Sequence, residues 1–236
     1  MKIALIGYGT MGQAVEEIAL LRGHSAGLRA DKYNSFTPDD LRAFDVAVEF
    51  TEPDSAVENI HKCFEAGIPV VCGTTGWYQH LPAVKEECIR RGNALFYASN
   101  FSLGVNMLFH INERLAQLMN SYSDYSPRID ETHHIRKKDA PSGTAITLAE
   151  GILENIDRLH AWTSGETDDS DKLPVISHRI NDVPGVHEIV YESDTDMLSL
   201  RHEAKNRKGF AYGAVLAAEW ITNKKGVFTM RNLLQL

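Results

Sequence analysis

The residues Ile3-Ala4-Leu5-Ile6-Gly7-Tyr8-Gly9-Thr10-Met11-Gly12 decide the fold. Four apolar residues in a row predict a buried strand. A G-x-G-x-x-G follows at once, and Met11, Ala14, Val15, Ile18 and Ala19 then recur at helical spacing until Gly23 ends the pattern. In a strand–turn–helix of this kind the first glycine makes the tight turn and the second lets a pyrophosphate approach the backbone. The third lets helix pack on strand, and the amides opening the helix meet the phosphates. Gly7, Tyr8, Gly9, Thr10, Met11 and Gly12 are therefore the expected dinucleotide loop. The acidic residue that such a site places about 20 positions further on is Asp31, closing a second strand. A carboxylate there accepts hydrogen bonds from the ribose hydroxyls of NAD and repels a 2′-phosphate. Arg29 and Lys32 beside it tolerate one, so NADH and NADPH both stay open as cofactors.

Outward from this stretch, short apolar runs alternate with helical patterns. Strands are expected near Ser25 to Ala30, Val46 to Phe50, Val70 to Cys72 and Ala94 to Tyr97. Between them, Pro53 opens a helix with Ala56, Val57, Ile60, Cys63 and Phe64 on one face, and a second helix runs near Leu81 to Arg91. Such alternation means a parallel sheet covered on both faces. The rhythm changes after Asn100. Leu108, Ile111, Leu115 and Leu118 mark a long helix, followed by a strand ending near Ile135. Ala145, Leu148, Ala149, Ile152, Leu153 and Ile156 line another helix, and the polar stretch Trp162 to Lys172 reads as a loop. Val186 to Glu192 and Met197 to Ala204 read as antiparallel neighbours, and a helix from Gly209 to Ile221 with a short tail ends the chain. The expected class is α/β: an N-terminal Rossmann-type parallel-sheet domain over 1–102, and an inserted α+β substrate and oligomerisation domain over 103–206. A C-terminal return over 207–236 rejoins the first domain, with crossings near Asn100 to Leu103 and Lys205 to Gly209.

Twenty-four Lys plus Arg against 32 Asp plus Glu give a formal charge of −8. That excludes general nucleic-acid or anionic-membrane binding, which wants a basic surface. No apolar stretch is long enough to span a bilayer. Cys63, Cys72 and Cys88 form neither a disulfide framework nor a zinc motif and read as small buried hydrophobes. A cytoplasmic address is expected.

Within this acidic chain one segment is locally basic. Glu131-Thr132-His133-His134-Ile135-Arg136-Lys137-Lys138-Asp139-Ala140-Pro141-Ser142-Gly143-Thr144-Ala145 places His133, His134, Arg136, Lys137 and Lys138 within six residues. Ser142 is a good N-cap for the helix that follows. The amides of Gly143 and Thr144, with Lys and His charges nearby, make an anion site. Histidine and lysine are natural proton donors for reducing an unsaturated, electron-poor substrate. No further ligands stand near the histidine pair in sequence, so no metal site is expected.

The run His133-His134-x-x-Lys137-x-Asp139-Ala140-Pro141-Ser142-Gly143-Thr144-Ala145 resembles the signature of the 4-hydroxy-tetrahydrodipicolinate reductase (dihydrodipicolinate reductase) family, in a short form. The glycine loop, Gly73-Thr74-Thr75-Gly76, Ala98-Ser99-Asn100-Phe101-Ser102, Gly185-Val186-His187-Glu188 and Phe210-Ala211-x-Gly213-Ala214-Val215 follow in the family's order. The resemblance implies an NAD(P)H-dependent oxidoreductase of the diaminopimelate route to lysine, acting on a small cyclic dicarboxylate. It implies His133 as acid/base and Lys137 as proton donor, with His134, Ser142, Gly143 and Thr144 at the substrate carboxylates. Gly7 to Gly12, Asp31, Lys32, Gly73, Thr74, Thr75, Ala98, Ser99, Asn100 and Phe101 would line the cofactor. Arg207 and Phe210 would reach the nicotinamide side. A homo-oligomer is implied too, typically a homotetramer. The chain is shorter than many members around its second and third strands and lacks their arginine between the second and third glycines. Both departures bear on the choice between NADH and NADPH rather than on the reaction.

Two other readings fit the glycine loop. Another small imine or aldehyde reductase of this architecture leaves the run from His133 to Ala145 unexplained. A dinucleotide-binding redox sensor predicts that His133 and Lys137 are dispensable. A dinucleotide fold alone does not choose among these, whereas the run favours the reductase.

Overall fold

The computed structural model describes every residue except Lys32 and Arg207. The chain opens as β1 (Lys2–Ile6), α1 (Thr10–Leu21), β2 (Ser25–Ala30), α2 (Pro38–Leu41), β3 (Val46–Glu49), α3 (Pro53–Ala66), β4 (Val70–Cys72), α4 (Leu81–Arg91) and β5 (Ala94–Tyr97). It continues as α5 (Leu103–Met119), β6 (Ser126–His133), α6 (Gly143–Leu153), β7 (Ala161–Ser164), β8 (Lys172–Arg179), β9 (Gly185–Glu192) and β10 (Met197–Ala204). The end is α7 (Lys208–Ile221), β11 (Gly226–Phe228) and α8 (Met230–Leu234). Two units result: Met1–Leu103 with Lys208–Leu236, and Gly104–Arg207.

The first unit is a six-stranded sheet in the order β11-β5-β4-β3-β1-β2, parallel throughout. Because strand side chains alternate, one apolar run feeds two cores. Ile3, Leu5, Val46, Val48 and Phe96 pack with α1 and α7 on one face. Ala4, Ile6, Ala47, Val70 and Leu95 pack with α3 and α4 on the other. Pro53 opens α3, where a missing amide hydrogen costs nothing, and Gly67 closes it at φ +77°. The three cysteines are buried and free, and burial pushes the Cys88 thiol up to about 11.

The second unit is a five-stranded mixed sheet in the order β10-β9-β6-β8-β7. The β10–β9 and β9–β6 pairs are antiparallel, and β6–β8 and β8–β7 are parallel. Ile129, Leu173, Val175, Ile189 and Tyr191 face Leu108, Ala116, Leu148 and Ile152 of α5 and α6. The chain is thus α/β, a Rossmann-type sheet carrying an inserted α+β unit.

Several sequence expectations need correction. The supposed loop from Trp162 to Lys172 contains the last three residues of β7 and the first residue of β8, because Trp162 and Thr163 pair with Leu173 and Pro174 across the sheet. The strand after α5 stops at His133, not near Ile135. Helix α6 ends at Leu153, and Ile156 reaches the core from the turn beyond it, its amide donating to the Ile152 carbonyl at 3.0 Å. On α5 the buried stripe runs through Val105, Leu108, Asn112 and Ala116, leaving Ile111 and Leu118 exposed. The tail supplies a sixth strand and a short helix. No helix among the described residues is long and apolar enough to cross a membrane.

Candidate active site

In the first unit the glycine loop leaves the C-terminal end of β1. Gly7 sits at φ +95°, and a Cβ there would meet the Phe50 carbonyl oxygen at 2.0 Å. At Gly12 a Cβ would lie 2.3 Å from the Gly7 carbonyl oxygen, which is why α1 seats so closely on the turn. Thr10 opens α1 with Gly9 as its N-cap and no side chain capping the first turn, leaving Thr10, Met11 and Gly12 amides without helical acceptors. A cavity of about 580 Å³ opens beside Gly7, Tyr8 and Gly9, walled by Asp31, Phe50 and Thr51. Its size and its unsubstituted backbone fit the nucleoside end of a dinucleotide.

Asp31 stands at the cavity's edge, where its carboxylate accepts hydrogen bonds from the Tyr33 amide at 2.8 Å and the Asn34 amide at 3.2 Å. Arg29 is committed elsewhere: its Nε donates to both Glu16 oxygens, at 3.0 and 3.2 Å, and the Tyr8 hydroxyl donates to the same carboxylate. Hydrogen bonding from Arg29, with a contribution from Tyr8, holds the Glu16 carboxyl below its ordinary value against the opposing effect of burial. Gly73, Thr74 and Thr75 follow β4, and Ala98, Ser99, Asn100 and Phe101 follow β5, at the edge where Gly7 follows β1. None of these seven borders the cavity, but the Thr51 amide donates to Thr74 Oγ1 at 2.8 Å, tying two of the loops together. Phe101 packs its ring 5.7 Å from that of Phe50. Phe210 is half-buried in the first turn of α7. Lys32 and Arg207, both expected near the cofactor, lie outside the described residues.

The second unit assembles its polar groups by strand register. Alternation along β6 turns Glu131 and His133 to the same buried face. Parallel pairing sets Arg179 of β8 opposite His133, and antiparallel pairing sets His187 of β9 opposite Glu131. Glu131 accepts a hydrogen bond from His133 Nδ1, and Arg179 faces its other oxygen at 2.9 Å. Burial alone would push the Glu131 carboxyl up, but the hydrogen bond from His133 and the neighbouring Ser177 hydroxyl and Arg179 cation outweigh this and hold it at about 2. His187 is lowered to about 3, by burial first and then by the neighbouring His133. Its Nε2 lies 3.0 Å from Ser142 Oγ, which also caps α6 by accepting from the Ala145 amide at 3.2 Å. Gly143 and Thr144 begin α6, so their amides have no intrahelical acceptor. In the loop between, Lys137 Nζ donates to both Asp139 oxygens, at 2.8 and 2.7 Å, and His134 is half-buried at the loop's start. Lys138 is exposed.

Glu131, His133 and His187 present ligand-type atoms within 4.8 Å of one another. The histidine pair is therefore not without nearby ligand types, which local sequence did not show. Both Glu131 oxygens already face partners, one the His133 proton and one the Arg179 cation, while His187 is engaged by Ser142. Arg179, and the contact between His187 and Ser142, were missed by the sequence reading. Glu131 carried a signal, since two residues apart on a strand means one shared face.

Residues 1–101 match the family model described as dihydrodipicolinate reductase, N-terminus, and residues 104–234 match dihydrodipicolinate reductase, C-terminus. The chain belongs to the dihydrodipicolinate reductase family. It is 47% identical over 236 residues to a 4-hydroxy-tetrahydrodipicolinate reductase of Christiangramia forsetii, covering 99% of this chain and 98% of that one. Its fold is that of a dipicolinate-bound dihydrodipicolinate reductase from Paenisporosarcina sp. TG-14, with a TM-score of 0.76 at 21% identity and 97% of each chain covered. An amine dehydrogenase from Mycobacterium smegmatis shares the architecture at a TM-score of 0.61 and 12% identity, covering 98% of this chain and 95% of its own. Fold alone thus spans more than one chemistry, and the family match decides. The reductase is an NAD(P)H-dependent oxidoreductase that converts 4-hydroxy-tetrahydrodipicolinate to tetrahydrodipicolinate in diaminopimelate and lysine biosynthesis, using a nicotinamide dinucleotide.

Proposed function

We propose that His133 and Lys137 manage the proton in this reduction, and that His134, Ser142, Gly143 and Thr144 hold the substrate carboxylates. The observation that carries the reading is the convergence around α6. A buried acid/base histidine, a lysine oriented by Asp139 and an N-terminal pair of amides all stand on the segment from His133 to Thr144. The nicotinamide, when bound, supplies a hydride to ring carbon C4 of the conjugated imine left after water is lost. Lys137 delivers a proton to the electron pair displaced onto the imine system, where stabilisation counts most. The Gly143 and Thr144 amides fix the carboxylates so that C4 is presented in one orientation.

The glycine loop, Asp31, Gly73 to Thr75 and Ala98 to Phe101 hold the dinucleotide in this reading. The engagement of Arg29 by Glu16 supports a tilt to NADH with NADPH still accepted. A homotetramer is the proposed assembly; exposed Met197 and Leu198 on edge strand β10 support association, and light scattering measures it. The proposed address is the cytoplasm, supported by three cysteines that stay reduced thiols.

The test couples the purified protein to a synthase that supplies the unstable substrate and follows NADH or NADPH oxidation. The His133→Gln and Lys137→Ala variants should lose turnover while still binding NADH. Full turnover in both variants would overturn the assignment.

A further inference from the structure

Among the described residues of the second unit, Glu131 is the one buried carboxylate, with no surface exposed to solvent. A buried carboxylate is tolerated only when its lone pairs are met by donors or cations, and both of its oxygens are so met. An ionised carboxylate only accepts, so the shared hydrogen belongs to His133 Nδ1. That leaves Nε2 as the ring nitrogen not engaged by Glu131. Nε2 lies over Gly185, where a Cβ would stand 3.0 Å away, so a side chain at 185 would crowd it.

Arg179 extends the chain of contacts. Its Nη2 also donates to the Asp139 carbonyl at 2.7 Å, and the Asp139 carboxylate holds Lys137. One guanidinium therefore braces the carboxylate behind His133 and the loop that carries Lys137. We propose that Glu131 and Arg179 are positioning residues for the reduction: Glu131 fixes the His133 tautomer with Nε2 free, and Arg179 locks Glu131 and the Lys137 loop together. The inference rests on the reading of His133 as the acid/base.

The groups facing His133 are Glu131 on its own strand, Arg179 from β8 and His187 from β9. Lys137 of the loop and His202 of β10 act in turn on His187. His187, whose ring centroid is 5.0 Å from that of His133, stays neutral near pH 7 and adds no charge there. Glu131 is thus the one anion among the groups that face His133.

The decisive experiment compares wild type, Glu131→Gln, Arg179→Lys and His133→Gln in the coupled assay, with NADH binding and circular dichroism alongside. Glu131→Gln should lower kcat by about 10²-fold while KM moves by no more than about twofold. Its kcat–pH profile should differ from that of wild type. Arg179→Lys should change the profile as well. Nitrogen-15 NMR of wild type should show the neutral His133 ring with hydrogen on Nδ1. If His133→Gln loses turnover but Glu131→Gln keeps wild-type kcat and pH profile, the positioning role is overturned and the role of His133 stands. If His133→Gln keeps full turnover, the reading beneath fails and this inference with it. Should Glu131→Gln not fold, the wild-type spectrum still decides, because hydrogen on Nε2 refutes the proposal.

Discussion

Arg29 is bound to Glu16 through both carboxylate oxygens, at 3.0 and 3.2 Å, while its guanidinium lies 5.7 Å from the Tyr8 ring centre. A cation so committed must break an ion pair before it meets a 2′-phosphate, whereas Asp31 is already at the cavity edge. Parallel titrations should therefore show both cofactors accepted, with NADH favoured. A preference for NADPH above about 100-fold, worth some 2.7 kcal/mol, contradicts this. Glu16→Gln should release Arg29 and improve the KM for NADPH relative to NADH by about fivefold.

Lys137 and Lys138 are neighbours with different surroundings. Lys137 is held by Asp139, and Lys138 is exposed. Lys137→Ala should lower kcat by about 10²-fold or more, while Lys138→Ala should leave it near wild type. NADH affinity should be preserved in both. A rise in KM with kcat unchanged at Lys137 would reassign it to carboxylate binding.

Two buried groups set the acid sensitivity of the fold. The His187 imidazole titrates at about 3 instead of 6.5, so the unfolded chain binds its proton first as pH falls. The stability it contributes is complete above about pH 6.5 and is lost progressively down to about 3. Glu131, lowered from 4.5 to about 2, contributes stability that is complete above about pH 4.5 and lost as pH falls towards 2. Melting temperatures from pH 7 to 4 should therefore fall for wild type and fall less steeply for His187→Asn. Equal slopes would mean that His187 takes up its proton at the same pH in the folded and the unfolded chain.

Glycines 213 and 143 should respond oppositely to alanine. At Gly213 a Cβ would lie 1.8 Å from the Phe101 carbonyl oxygen, forcing α7 off the sheet, and Gly213→Ala should cost about 3 kcal/mol of stability. At Gly143 a Cβ meets nothing within 4 Å, so Gly143→Ala should leave the melting temperature within about 2 °C. Denaturant midpoints of the two variants check the contrast.

The parallel sheet of the first unit was legible because Ile3 to Ile6, Val46 to Val48 and Val70 to Cys72 are unbroken apolar runs between helices with clear stops. Strands β7 and β8 were not. Pro174 and the charged ends at Lys172 and Arg179 blur their alternation, and their stability comes from pairing, β8 with β6 and β7 with β8, rather than from local pattern. Three residues, Gly226 to Phe228, are too few to show any period. The run from His133 to Thr144 was legible as chemistry, because its residue types are unusual in an acidic chain. Its bracing was not, since Arg179 and His187 arrive from strands about 45 residues away whose register no local window contains.

The sheet that carries the glycine loop is finished by a part of the chain made after the whole second unit. Ala211, Ala214, Val215, Ala218 and Ile221 of α7 cover the face formed by Ile3, Leu5, Val46 and Val48. On a ribosome that face emerges before α7 and waits, greasy and without that cover, while the whole of Gly104–Arg207 is synthesised and free to fold. A nascent chain arrested before Lys208 should therefore bind a hydrophobic dye and a holdase chaperone, and release both once α7 has emerged.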